Sequence, residues 1–437
     1  MRVLKLEGKK SVELIINGQG IYVFNFYKNQ QAELVESVEP VEPVEPVEPV
    51  EPIKNIQNSN AHFTLLNPDG SDGLEVNFSS DKISVKRIGD GTEYQDSLNN
   101  SGLSEFTDAY YWFSLDAQNL QFYAGIGEAR LETVRYKYLF EFGSSEEEKE
   151  KRNVTKKFLE SIVRINSGNT CSIKLVKDPV SQKVPLKVIG TNEITMEMLS
   201  LNDHMPVSNL PLTSQKLYNA ISGSNIKLDD ADFPQFSQAI EYSIRTPGLW
   251  CYEKLKEKST EFNKDKPNEL ETYLRITLGQ NNGESPGIPY VMEIWPPNHY
   301  SPIHNHAGAE AIIRVLYGSI NVNLYPFLCG QINGVKPFGE VEFGTNEYTW
   351  ISPGLNQTHQ LKNTHQTITC VSLNCYLYDN NNSVHYDYFD YLDANGQIQH
   401  YEPDSDMDFI NFKKLMKKEW YEEQVKKKKL RKILKFN

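Results

Sequence analysis

Along residues 60–205, apolar and polar side chains alternate in short runs. These are HFTLL from His62, GLEVNF from Gly73, KISVKRI from Lys82, YYWFSL from Tyr110, LQFYAGIG from Leu120, YKYLFEF from Tyr136 and CSIKLV from Cys171. Gly, Asp and Asn clusters separate them, the pattern of half-buried strands joined by turns. It predicts a sandwich or jelly-roll domain of unknown role. Within the YYWFSL run, Tyr110, Tyr111, Trp112 and Phe113 are predicted core. One helix is expected from Glu146, with charges on one side and Phe158, Ile162 and Val163 on the other. Ahead of this region, VELIING and IYVFNFY predict two short strands within residues 1–34, joined as a hairpin across Asn17-Gly18.

Near Met205–Leu212 the pattern changes. SQKLYNAIS from Ser214, DFPQFSQAIEYSI from Asp232 and TPGLWCYEKLKEKS from Thr246 carry apolar residues at spacings of three and four, which predicts short helices. The chain then returns to strands. These features mark a second domain over residues 210–405. Residues 406–437 read as a basic helix that packs through Phe409, Phe412, Leu415, Met416 and Trp420 and ends in an exposed, Lys-rich stretch. Between the first strands and the first domain, residues 35–59 hold a repeated Val-Glu-Pro triplet. Proline lacks an amide donor and the carboxylates repel, so an extended, solvated linker is expected.

A chain of 437 residues has the length of two domains, and a hydrophobic fraction of 39% with 24 Tyr and 20 Phe supports folded, aromatic cores. The net charge of -13 argues against general nucleic-acid binding, which needs clustered cations. Five scattered cysteines without a CxxC pair point to neither a disulfide framework nor a structural zinc site. No signal-peptide pattern or membrane-length apolar run is present, so a cytoplasmic protein is expected. The oligomeric state is not legible.

The candidate chemistry lies in EIWPPNHYSPIHNHAGAEAIIRVLYG, from Glu293 to Gly318. Histidines two residues apart on a strand face the same way, so His304 and His306 can bind one metal together. WISPGLNQTHQLKN, from Trp350, supplies a third histidine, His359, after a turn containing Pro353 and Gly354. His62, His204, His299, His365, His385 and His400 lack such partners and are read as structural.

The order HxH, Glu310, Gly318, then Pro353, Gly354, His359 and Asn363 resembles the two cupin motifs. Within the cupins, Leu217–Tyr388 resembles cysteine dioxygenase, including the lead-in DDADFPQF and the segment Tyr273-Leu274-Arg275. The resemblance implies a mainly β architecture: a C-terminal double-stranded β-helix (cupin) barrel with a helical lead-in, beside the N-terminal β-sandwich-like domain. It further implies iron(II) held by His304, His306 and His359, with L-cysteine and O2 converted to cysteine sulfinate in cysteine catabolism. Arg275 would bind the substrate carboxylate. Tyr376, in VSLNCY, would orient substrate and donate a hydrogen bond towards oxygen.

Three departures from the family stand in this sequence. Asn374 occupies the place of a histidine that supports the tyrosine. Ala311 replaces the cysteine that crosslinks to it in animal members, and Cys375 alternates to the opposite face. Glu310 stands where many cupins have a fourth ligand, which leaves a four-ligand metalloenzyme open. Also open are a dioxygenase for 3-mercaptopropionate or cysteamine and a non-catalytic binding protein with a vestigial barrel.

Overall fold

The computed structural model describes residues 4–5, 11–25, 60–79, 82–96, 98, 110–168, 172–176, 184–264, 266–278, 290–306, 308–328, 336–377 and 389–433. The Val-Glu-Pro linker, Cys171, Cys329, His385 and the last four residues lie outside them. The chain divides into two compact units, Met1–Lys183 and Val184–Asn437.

The first unit is a β-sandwich of two six-stranded sheets. One sheet runs Leu4–Lys5, Ser172–Val176, Gln19–Asn25, Tyr111–Asp116, Gln121–Ile126, Val134–Leu139. The other runs Ser11–Glu13, Arg164–Ser167, Ala61–Leu66, Gly73–Phe78, Ile83–Arg87, Glu93–Tyr94. Alternating inward residues meet between the sheets as an aromatic core. Phe24 of the first sheet lies 4.7 Å from Phe63 and 4.8 Å from Phe78 of the second, and Phe113 lies 5.2 Å from Phe63, ring centre to ring centre. Tyr111, Trp112 and Phe113 are buried, whereas Tyr110 is 41% exposed. Trp112 faces away from that core into a smaller cluster with Ile21 and Tyr123, and its indole N–H donates to Thr133 Oγ1 at 3.1 Å.

The helix Glu146–Glu160 starts where Ser145 caps it, its hydroxyl accepting from the Glu148 amide. Phe158 and Ile162 are buried; Ile162 and Val163 fall just beyond the last helical turn.

The expected N-terminal hairpin does not form. Ser11–Glu13 pairs with Arg164–Ser167, while Gln19–Asn25 pairs with Tyr111–Asp116 and Ser172–Val176. The strands exist, but the Asn17-Gly18 turn carries the chain from one sheet to the other. Gly18 supplies the positive φ of 68° that this corner uses.

The second unit contains an eight-stranded sheet in the order His204–Pro206, Lys187–Ile189, Tyr348–Ile351, Glu310–Tyr317, Cys370–Leu377, Tyr290–Trp295, Leu274–Thr277, Met407–Asp408. A three-stranded sheet follows the order Gly339–Gly344, Ser319–Leu324, His359–Lys362, and Phe389–Leu392 pairs with Ile398–Tyr401. The chain passes repeatedly from the large sheet to the small one and back, which is the double-stranded β-helix, or cupin, architecture. The expected boundary near Met205–Leu212 falls inside this unit. His204–Pro206 is already an edge strand of its large sheet and Lys187–Ile189 the strand next to it, with Val188 in register with Tyr348.

The central strands of the large sheet are covered on both faces and are largely buried. Outward residues Leu274, Ile276, Met292, Ile294 and Val371 pack with Phe236, Ile240, Ile244, Cys251 and Leu255 of the helices Phe236–Arg245 and Trp250–Glu257. Phe412 and Met416 of the long helix Phe409–Ile433 join the same cluster. The opposite face of these strands turns Tyr273, Arg275, Glu293, Trp295, Asn374 and Tyr376 into the barrel cavity.

Candidate metal centre

His304 and His359 lie side by side, each backbone amide donating to the other's carbonyl at 3.0 Å. His306 follows two residues on. The three rings stand 4.6 to 5.0 Å apart, centre to centre, and their ligand atoms all fall within 4.8 Å of one another. They are the one group of three or more candidate ligands found among the described residues.

Backbone contacts fix the tautomer of two of these rings. His304 Nδ1 is 3.0 Å from the Pro302 carbonyl and His359 Nδ1 is 3.0 Å from the Asn356 carbonyl. A carbonyl oxygen only accepts, so each Nδ1 carries the proton and each Nε2 offers a lone pair. Burial lowers His304 to about 3, with His359 adding to the effect, and lowers His359 to about 4. Burial and the two neighbouring rings hold His306 well below its ordinary value. All three are neutral at physiological pH. A buried cluster of lone pairs facing inward fits a divalent metal of the kind that imidazoles bind.

Glu310 stands apart from this group. Its carboxylate accepts from Ser214 Oγ at 2.6 Å, on the helix Leu212–Ile221. Glu310 belongs neither to the three-histidine cluster nor to the lining of the cavity.

Arg275, Asn374 and Tyr376 line the same cavity as the three histidines. Burial pushes the Tyr376 phenol upwards, reinforced by the Glu293 carboxylate, so it stays protonated at neutral pH. Its ring is 5.4 Å from that of His306. Asn374 Nδ2 donates to the Tyr376 hydroxyl over a long 3.4 Å. Ala311 is in register with Tyr376 across the strand pair and brings no thiol to it. Cys375 turns to the opposite face, its sulfur 3.5 Å from the Ile312 carbonyl and 3.6 Å from that of Leu217.

One charged residue of the cavity was not anticipated. Glu293, in register with Arg275, accepts from its Nη1 at 2.8 Å, and both side chains are buried. The carboxyl is pushed up by burial and pulled down by Arg275 and by a hydrogen bond from Asn374. Burial disfavours the guanidinium charge, yet the carboxylate opposite holds Arg275 above its ordinary value. The signal in the sequence was a lone acidic residue in the apolar run Val291 to Trp295. The described histidines read as structural do have ordinary partners: His62 with Glu75, His204 with Asp203, His299 with Thr272 and His400 with Asp390. His365 accepts from the amides of Thr367 and Ile368.

No helix among the described residues is long and apolar enough to cross a membrane. No protein-family model matches the chain. Cysteine dioxygenase type 1 of Danio rerio is 26% identical over 105 residues, which is 24% of this chain and 50% of that protein. The chain thus spans about half the length of this curated relative. Among solved structures, oxalate oxidase in complex with the substrate analogue glycolate is 17% identical, over 27% of this chain and 55% of that one, with a TM-score of 0.21. A sugar phosphate isomerase from a cupin superfamily of Silicibacter pomeroyi is 15% identical over 30% of this chain and 78% of its own, with a TM-score of 0.21. The cupin domain of a transcriptional regulator from Enterobacter cloacae is 12% identical over 24% of this chain and 96% of its own, with a TM-score of 0.19. The chain thus combines a cupin barrel with a buried three-histidine group and partial sequence similarity to a cysteine dioxygenase.

Proposed function

We propose that the second unit is an iron(II)-dependent thiol dioxygenase that converts L-cysteine and O2 to cysteine sulfinate. The observation that carries this reading is one cavity lined by three neutral imidazoles, a guanidinium and a protonated phenol. The partial similarity to cysteine dioxygenase type 1 of Danio rerio supports it.

Iron(II), when bound by His304, His306 and His359, supplies Lewis acidity towards a thiolate and one-electron chemistry towards dioxygen. Three neutral ligands leave its full charge in place, which favours thiolate over thiol. Arg275 binds the substrate carboxylate and holds the sulfur end towards the histidines. Tyr376, kept protonated by burial, donates a hydrogen bond into the same space. The rings of Tyr273 and Trp295 stack 4.1 Å apart and close the wall of the cavity against water. Both oxygen atoms are transferred to sulfur, which loses four electrons, so no further reductant is required.

The test is anaerobic loading of the full chain with iron(II), followed by oxygen uptake with cysteine, 3-mercaptopropionate and cysteamine and identification of products by mass. Cysteine sulfinate formed with one O2 consumed per cysteine is the expected result. Bound iron without sulfinate from any of these thiols would overturn the proposal.

A further inference from the structure

In the cavity wall, the arginine assigned to a substrate carboxylate already has a carboxylate partner. Glu293 lies directly across the strand pair from Arg275, accepts from its guanidinium at 2.8 Å, and lines the cavity beside the three histidines. Both side chains of the pair are buried, which shields it from water. On its other side Glu293 is in register with Ser372, whose buried hydroxyl has no hydrogen-bond partner.

A thiol whose only other charged group is a carboxylate meets this pair badly. Its carboxylate gains Arg275 but is brought beside Glu293, where like charges repel in a site shielded from water. A substrate that also carries an ammonium group meets it well, because the two groups of the pair can each receive an opposite charge. Its carboxylate takes further N–H donors of Arg275, and its ammonium donates to Glu293. A thiol with an ammonium group alone satisfies Glu293 and leaves Arg275 paired as it stands.

We infer that Glu293 determines substrate specificity: it recognises an ammonium group, and the pocket therefore accepts aminothiols and discriminates against thiol acids that lack an amine. The inference rests on the thiol dioxygenase reading for its substrate class. Arg275 and Glu293 form one recognition unit in it, with Arg275 choosing among aminothiols and Glu293 requiring the amine.

The experiment measures binding as well as turnover. Calorimetric titration under argon, on the full chain loaded with iron(II), gives dissociation constants for cysteine, cysteamine and 3-mercaptopropionate without reaction. The expected result for the wild type is 3-mercaptopropionate binding about 10- to 100-fold more weakly than cysteine or cysteamine, the difference one charged hydrogen bond makes. In Glu293→Gln that ratio collapses, cysteamine binding weakens, and the thiol acid gains affinity for the now uncompensated Arg275. Similar affinities for all three thiols in the wild type, binding of none of them, or a folded Glu293→Gln protein that keeps the wild-type ratio would each overturn the inference. The wild-type ratio decides the matter if the variant does not fold. Oxygen uptake on the same samples separates the two readings. Amine-selective binding without sulfinate sinks the dioxygenase proposal and leaves the assignment of Glu293. Sulfinate formed from all three thiols at similar kcat/KM does the reverse.

Discussion

The two units enclose opposite kinds of interior with the same secondary structure. Between the sheets of the sandwich lie Phe24, Phe63, Phe78, Phe113 and Phe122, packed ring against ring. Inside the barrel the side chains facing the cavity include His304, His306, His359, Arg275, Glu293 and Asn374, all buried. Apolar burial stabilises the first interior at about 25 cal/mol for each Å² withdrawn from water. Burying charged and polar groups costs stability unless each finds a partner. Charge burial by itself does not distinguish a site, however. In the sandwich Arg130 and Glu128 form a buried pair 3.3 Å apart, within one local turn. What sets the barrel apart is convergence: distant segments direct unlike polar groups into one shared space.

The sharpest way to break this contrast is to remove one ligand from the barrel. His359→Ala should abolish retention of iron(II) after desalting, measured by elemental analysis, while far-ultraviolet circular dichroism stays close to the parent. Stoichiometric iron in that variant would dissolve the three-histidine assignment. In the sandwich, Phe113→Ala should cost about 3–5 kcal/mol through a cavity in the aromatic core. Urea denaturation followed by hydrogen exchange in strand Tyr111–Asp116 measures it. A loss below 1 kcal/mol would mean that core is not close-packed.

Acid should separate the interiors next. His304 and His359 titrate at about 3 and 4 in the folded chain, below their unfolded value of about 6.5. The unfolded state therefore binds more protons between those limits. The stability these groups contribute is present above pH 6.5 and is lost as pH falls towards 4 and then 3. Between pH 7 and 5 the loss is about 2 kcal/mol for each histidine. Urea midpoints of the metal-free barrel should drop over that interval, and bound metal should move the onset to lower pH. A midpoint flat from pH 7 to 5 would contradict it. The smallest effect belongs to Glu310→Gln, which should leave iron content unchanged and cost about 1 kcal/mol through its bond with Ser214. Loss of iron in that variant would restore the fourth ligand.

The metal-binding histidines were legible because strand alternation puts His304 and His306 on one side, and a turn sequence announces His359. The helices Leu212–Ile221, Phe236–Arg245, Trp250–Glu257 and Phe409–Ile433 were legible from their apolar spacing, whereas the short helix Met196–Leu201 was not. Glu293 was not, because the rule that fills a buried strand with apolar residues treats a single charge as an interruption. Its meaning appears only when Arg275, eighteen residues earlier, is placed opposite it. The short strands Lys187–Ile189 and His204–Pro206 escaped for another reason: three residues are too few to show a period. The hairpin failed because an Asn-Gly turn specifies a reversal of direction and says nothing about which sheet each arm will join.

The Nδ1 protons of His304 and His359 rest on main-chain carbonyls, those of Pro302 and Asn356, which every amino acid possesses. At Asn356 the side chain has a second task, since its Nδ2 donates to the Trp350 carbonyl at 3.1 Å, so backbone shape and side chain are both constrained there. Asn356 sits at a φ of 62°, a conformation open to glycine and costly for β-branched residues. A library of replacements there should consequently lose Val and Ile first, with Gly intermediate because it keeps the backbone conformation and gives up the bond to Trp350.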